Sequence, residues 1–290
     1  MWWWIVGVRP ALGVGAGLCY HPGPAGGREA RVRMELGVLG AVGAGLLGAV
    51  VGSFLNVVIH RLPHGESLSF PPSHCPRCRA RIRPRDNLPV IGFLLLRGRC
   101  RDCGEAISWR YPLVEALMAG LSLGLWGLHG PSLLFAVQFV FLAGLVAVTF
   151  IDIDLKIIPD SLSLGGIAVG LACSVVTPLG WKASLAGIGL GGGLLLAVAG
   201  GYYLVTRREG MGLGDVKLLA AIGAFLGWQA VLFTVFVSSL VGSAVGLSVG
   251  ALRGSGLRLE VPFGPFLALG AAAWVFVGPP LVDWYFGIFP

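Results

Sequence analysis

Six acidic residues, Glu115, Asp152, Asp154, Asp160, Asp215 and Asp283, lie among long apolar runs. An ionisable side chain is expensive inside a bilayer, so such residues mark candidate functional sites. Two groups stand out. One is Phe150-Ile-Asp-Ile-Asp-Leu-Lys-Ile-Ile-Pro-Asp160, and the other is Gly212-Leu-Gly-Asp215-Val-Lys217. If a carboxylate from each group met, the two could not both ionise cheaply, and one would keep a proton near neutral pH. The ionised member could then draw a proton from a water molecule, while the protonated one polarised a scissile carbonyl. Such hydrolysis needs neither a metal nor a covalent intermediate. Gly212 and Gly214 carry no side chain that would block an extended substrate strand. Each piece also has a plainer reading. Asp154 and Asp160 could simply solvate a helix boundary, and a continuing helix would turn Asp154 to the face opposite Asp152. Asp215 could cap a helix or pair with Lys217.

The second chemical feature is Cys75-Pro-Arg-Cys78 and Cys100-Arg-Asp-Cys103, with 21 residues between the pairs. Two C-x-x-C knuckles at this spacing form a zinc-ribbon-like pattern. Four thiolates suit tetrahedral Zn²⁺, and binding it would supply folding energy that a short loop lacks. Paired disulfides and a redox role are the alternatives, and a reducing cytoplasm disfavours the disulfides. With four ligands the site is closed, which makes it structural. Cys19 and Cys173 sit in apolar runs and read as packing residues.

The elements that must position these groups are membrane helices. Of the 290 residues, 56% are hydrophobic and 12% charged, against about 25% charged in an ordinary soluble domain. Mean hydropathy is +0.83. Apolar stretches of near-spanning length occur at roughly 36–60, 111–129, 132–151, 159–178, 182–206, 214–227, 229–251 and 262–287. The expectation is therefore an all-α polytopic membrane protein of about eight spans, the sixth short and Gly-rich. Between Arg61 and Arg110, ten arginines face Glu66, Asp86, Asp102 and Glu105, a net charge of +6. With that loop cytoplasmic, Lys156, Arg207, Arg208, Arg253 and Arg258 also fall inside, and the loops near His129, Lys182 and Gly227 fall outside. Both aspartate groups then lie at one depth, the cytoplasmic edge. The basic loop reads as a topology signal, and nucleic acid is not an expected partner. The lipid bilayer is.

Residues 1–33 fit this frame poorly, with an apolar Met1–Tyr20 run followed by a Pro/Gly/Arg-rich patch. They read as an atypical extension, with translation expected to start at Met34. The expected division is then 34–111, the first span plus the cysteine loop, and 112–290, the membrane domain bearing the aspartates.

Taken together, the motifs resemble the bacterial type IV prepilin peptidases, or leader peptidase/N-methyltransferases. The resemblance runs from Met34 to the C-terminus. It includes Gly52-Ser-Phe-Leu-Asn56, His60-Arg-Leu-Pro63, the paired knuckles, Asn87-Leu-Pro89 and Arg97-Gly-Arg-Cys100. Arg110-Tyr-Pro-Leu-Val-Glu115, both aspartate groups and Pro262-Phe-Gly-Pro265 complete it. It implies an inner-membrane aspartic protease of the GxGD class, which removes the basic leader of type IV pilin or secretion pseudopilin precursors. It also implies methylation of the new N-terminus by S-adenosylmethionine. Carried over by position, the dyad is Asp152 and Asp215, with Asp154 as the alternative partner and Asp160, Gly212, Gly214 and Lys217 in support. The methyl-donor region falls around Gly98 and Arg99, with Asn56, Arg61 and Glu115 as further candidates. Arg110 and Glu115 could equally form a structural pair at the membrane surface.

Three rival readings make distinct expectations. A proton- or cation-coupled transporter should carry its carboxylates near mid-bilayer and show inverted repetition, and neither is evident in the sequence. A zinc-loop adaptor would tolerate loss of both aspartates. A peptidase without methylation, like the archaeal preflagellin enzymes, would lack the cysteine loop.

Overall fold

The computed structural model describes residues 24–207, 212–253 and 262–288. The expectations for residues 1–23, including Cys19, and for Arg208 and Arg258 lie outside the described residues. Eight α-helices follow in order: α1 Pro24–Arg61, α2 Ile91–Leu95, α3 Arg110–His129, α4 Leu133–Leu155, α5 Asp160–Ser174, α6 Trp181–Thr206, α7 Leu213–Arg253 and α8 Gly264–Ile288. No strand occurs among the described residues, only two isolated bridges in the loop between α1 and α3. Six of the helices are long and apolar enough to cross a membrane.

The count reconciles with eight expected crossings through α5 and α7. Inside α7, Gly227 takes φ 83° and ψ 177°, which breaks the helix. That conformation is open to glycine and strained for residues with a Cβ. Before the break, Leu219 and Gly223 pack on Gly191 and Gly187 of α6. After it, Thr234 packs on Gly270 and Ser238 hydrogen-bonds the Phe266 carbonyl of α8 at 3.0 Å. The chain therefore folds back at Gly227, as the separate runs 214–227 and 229–251 anticipate. α5 ends at Ser174, short of the expected residue 178, because Pro178 disfavours helix at the residue before it. α4 in turn runs past residue 151 to Leu155, where Lys156 adopts φ 55° and closes the helix by donating its N–H to the Asp152 carbonyl.

Small residues bring the helices together. Gly48 and Gly52 of α1 leave no room for a Cβ against the backbone of Met118 and Glu115 of α3, and Ser122 Oγ donates to the Ala44 carbonyl at 2.7 Å. Gly187 and Gly223 approach each other's carbonyls just as closely, and Ser184 Oγ donates to the Ala224 carbonyl at 2.8 Å. In lipid, where apolar contact alone gives helices no reason to associate, this close backbone approach is what holds a bundle. α4 is central, with Phe141, Leu142, Leu145, Val146, Val148 and Ile151 buried among its neighbours. Many large apolar side chains elsewhere, such as Leu46, Leu196, Leu204 and Phe236, face outward, as a bilayer requires.

Candidate functional site

The cysteine loop is a symmetrical pair of knuckles. In the first, Cys75 N–H donates to Ala80 O at 3.0 Å and Arg79 N–H to Cys75 O at 2.9 Å; in the second, Cys100 donates to Glu105 at 2.7 Å and Gly104 to Cys100 at 3.0 Å. Bridges between His74 and Arg81, and between Arg99 and Ala106, close the two turns. Both turns need a left-handed residue after the second cysteine, Arg79 at φ 56° and Gly104 at φ 71°. Ion pairs then join one knuckle to the other. Asp86 takes both Arg101 nitrogens, one at 2.8 Å, Arg77 meets Glu105 at 2.9 Å, and Arg83 meets Asp102 at 3.7 Å. The Arg101 guanidinium holds the Asp86 carboxyl below its ordinary range.

All four sulfurs lie within 4.8 Å of one another, with Cys75–Cys103 at 3.9 Å and Cys78–Cys100 at 4.0 Å. Four ligands at about 2.3 Å from a tetrahedral centre stand about 3.8 Å apart, whereas a disulfide needs about 2.05 Å. The cluster fits a metal ion. Without an ion, backbone N–H groups of Cys78 and Arg77 lower the Cys75 thiol to about 7, while burial and the neighbouring sulfurs raise the Cys78 and Cys103 thiols.

Asp152 and Asp215 stand at helix ends that converge on Ile158. Asp152, in the last turn of α4, is buried, and its Oδ2 accepts the N–H of Gly264, first residue of α8, at 3.0 Å. Asp215, in the first turn of α7, is half-buried, its N–H bound to Gly212 O at 3.2 Å. Ile158, on the short link from α4 to α5, packs against both approaching glycines. A Cβ on Gly214 would stand 3.1 Å from Ile158 Cβ, and one on Gly264 would stand 2.6 Å from Asp152 Oδ2. Gly214 is closely packed on the Ile158 side chain. Gly212 is the open one, exposed beside Asp215 Oδ2.

The supporting residues divide. Asp154 does turn away from Asp152, as the helix period requires, and forms an ion pair with Arg110, whose guanidinium also lies 5.3 Å from the centre of the Phe150 ring. Lys217 pairs with Asp160 at 2.6 Å rather than with Asp215, tying the starts of α7 and α5 together beside the site. Arg110 therefore does not pair with Glu115. Glu115 is buried and accepts the Val90 N–H at 2.7 Å, which pins the entry of α2 to α3. Asn56 is buried and donates to Tyr111 O at 3.2 Å, again joining α1 to α3. Arg61, also buried, donates to Ser67 O and Pro71 O at 2.9 and 2.7 Å and folds the loop back on α1. Gly98 and Arg99 build the approach to the second knuckle, with Ile107 N–H donating to Gly98 O at 2.7 Å. Asn56 and Glu115 lie on helices, and Gly98 and Arg99 in the loop that leads into the second knuckle.

Gly264 is the residue that sequence reasoning passed over. Its motif, Pro262-Phe-Gly-Pro265, was visible, but nothing in it says that its N–H reaches a carboxylate 112 positions earlier.

The fold and site define a polytopic membrane protein with two aspartates at converging helix ends and a separate four-cysteine cluster that could hold a metal ion. The family model for the bacterial peptidase A24 N-terminal domain matches residues 46–128, and that for the type IV leader peptidase family matches residues 139–247. A prepilin leader peptidase/N-methyltransferase of Burkholderia pseudomallei is 39% identical over 263 residues, covering 81% of this chain and 84% of that protein. One of Aeromonas hydrophila is 40% identical over 277 residues (83% and 91%), and one of Legionella pneumophila 36% over 272 (84% and 93%). No solved structure matches significantly. The chain belongs to the type IV leader peptidase family, and with its spanning helices it is a multi-pass inner-membrane protein.

Proposed function

We propose that this protein cleaves the leader of type IV prepilin-like precursors at the cytoplasmic face and then methylates the new N-terminus with S-adenosylmethionine. Asp152 and Asp215 form the dyad. The observation that supports this reading is the convergence on Ile158 of Gly214, which precedes Asp215, and of Gly264, whose N–H holds Asp152, beside the open backbone of Gly212.

The chemistry follows from one proton shared by two carboxyl groups. Because Asp152 Oδ2 accepts from Gly264, that proton resides on the other Asp152 oxygen or on Asp215. The ionised member takes a proton from water, whose oxygen attacks the scissile carbonyl carbon. The protonated member donates to the carbonyl oxygen as its charge develops. Collapse of the tetrahedral adduct breaks the C–N bond, the departing nitrogen takes up a proton, and the dyad regains its single shared proton. Lys217 and Asp160 hold the helix starts that aim Asp215. In the loop, Cys75, Cys78, Cys100 and Cys103 would hold a zinc ion, which would serve to fold the segment. Residues 34–111 serve as the methyltransferase region and 112–290 as the peptidase.

Cleavage of a prepilin by the full-length enzyme in liposomes tests the assignment. Asp152→Asn and Asp215→Asn should each lower the rate by about 10²–10⁴-fold while the protein stays folded, and Asp154→Asn should cut. Normal cleavage by Asp152→Asn, with Asp154→Asn dead, would move the dyad by two residues. Equal cutting by all variants would end the aspartic-protease reading.

A further inference from the structure

A cleft of about 220 Å³ opens between the end of α1, the start of α3 and the end of α4, and the peptidase mechanism above makes no use of it. Its ionisable lining groups are His60, His64, Arg110, Tyr111 and Asp154, with Asn56 at its side. Asp154 follows Asp152 by two positions on one helix, so the cleft lies about 3 Å further along the helix axis on the opposite face. An N-terminus freed at the dyad reaches it by passing round the end of α4, where Leu155 lines the cleft.

The cleft's chemistry suits an amine. The Asp154 carboxylate is paired with Arg110 and yet partly exposed, so it can accept hydrogen bonds from an ammonium group. One Arg110 guanidinium nitrogen is buried without a hydrogen-bond partner, which leaves donor capacity for a carboxylate. The unpaired Arg110 nitrogen suits the carboxylate of the methyl donor's amino-acid head group, and Asp154, the cleft's one carboxylate, is left for the substrate ammonium. His64 supplies the remaining function. Its Nδ1 stands 2.8 Å from the His60 carbonyl oxygen. A carbonyl only accepts, so Nδ1 carries the hydrogen, and in the neutral ring Nε2 keeps its lone pair as a base.

We propose that this cleft is the site of N-methylation, with His64 as the base that deprotonates the amine and Asp154 as its anchor. The inference rests on the methyltransferase part of the function proposed above. The α-ammonium has no lone pair and cannot react until it loses a proton. His64 Nε2 takes that proton, and the amine nitrogen forms a bond to the sulfonium methyl. The S–C bond breaks, its electron pair stays on sulfur as a neutral thioether, and the nitrogen becomes a secondary ammonium. His64, exposed to solvent, returns its proton to water.

The test uses full-length enzyme, prepilin and S-adenosylmethionine with a labelled methyl group, following leader removal and label incorporation separately. His64→Gln should lower methyl incorporation by about 10²-fold at pH 7, with the leader still removed. The deficit should shrink at about pH 9, where an α-amine with a pKa of about 7.7–8.0 deprotonates unaided. His129→Gln, at the far end of α3 from the cleft, should leave incorporation within a few fold. Ultraviolet crosslinking of the labelled donor, which requires no turnover, should map to residues 56–64 or 108–111. Unchanged incorporation by His64→Gln, a deficit equal at pH 7 and pH 9, or a crosslink within residues 97–105 overturns the proposal while leaving the enzyme's two activities intact. Wild type that cleaves without methylating removes both the proposal and the methyltransferase reading.

Discussion

The cysteine module and the aspartate site solve the same problem, holding like-charged groups together, by opposite routes. In the module, the outermost ligands are 28 residues apart, and two nearly identical turns present the thiols before any distant contact is needed. At the aspartate site, the ends of α4, α7 and α8 must arrive together, and one contact joins residues 112 positions apart. On the proposed function, the module can therefore fail alone, by losing the metal its cysteines would hold. The dyad fails whenever a helix end moves. The surroundings differ in kind as well: exposed arginine–carboxylate pairs stitch the knuckles, whereas glycines and Ile158 set the dyad.

The largest expected effect follows from that contrast. Removing the metal from the intact protein with a chelator, or changing Cys100→Ser, should unfold the loop, since metal binding supplies about 10–16 kcal/mol in comparable zinc-finger peptides. Limited proteolysis should then cut within residues 66–108, while the spanning helices stay protected. Loss of protection across both regions at once would show that module and dyad are one cooperative unit and would collapse the distinction.

Next in size is Gly264→Ala. The added Cβ would stand 2.6 Å from Asp152 Oδ2, so either the carboxylate or the start of α8 must shift. Misplacement on this scale costs about 10²-fold in rate, read as slower prepilin cleavage by a protein of unchanged melting behaviour. Gly242→Ala is the control, because its Cβ would meet only the Phe266 ring, at 3.4 Å. Equal loss in both variants would mean that α8 as a whole, rather than the Gly264 N–H, governs the dyad.

A smaller change, in stability, should come from the α6–α7 seam that delivers Asp215. Gly223→Ala forces its Cβ into the Gly187 carbonyl and should cost about 1–3 kcal/mol in denaturant-induced unfolding. Gly193→Ala, with nothing within 4 Å, should be neutral or slightly stabilising, because alanine favours helix over glycine.

These sites were unequally legible in the sequence, for a physical reason. The metal module was readable because its ligands and their spacing are local. The Gly227 break was readable because glycines and apolar run lengths mark it. The Asp152 and Asp215 groups could be placed at one depth from the arginine distribution alone, and the helix period foretold that Asp154 would face away. Partners set by tertiary topology were not readable. Lys217 could as well have met Asp215, two residues away, as Asp160, and only the docking of α7 on α5 decides it. Arg110 and Glu115 share a helix, yet each is claimed by a different element, Asp154 of α4 and the Val90 backbone.

The smallest prediction concerns the two knuckles themselves, alike in hydrogen bonding but not in the residue at the left-handed position. Arg79 sits there at φ 56° and Gly104 at φ 71°. A residue with a Cβ pays roughly 1–2 kcal/mol in that region, while glycine carries a cost of about 0.5–1 kcal/mol in lost freedom on folding. Gly104→Ala should therefore weaken the module by about 1 kcal/mol, although no atom stands within 4 Å of the new Cβ. Arg79→Gly should be close to neutral, the relief of strain offsetting the greater freedom of the unfolded chain. Metal competition against a chelator of known affinity reads both, at roughly a fivefold shift for the first and little for the second. Equal shifts would show that the knuckles are held by their ion pairs and metal alone, with turn conformation contributing nothing.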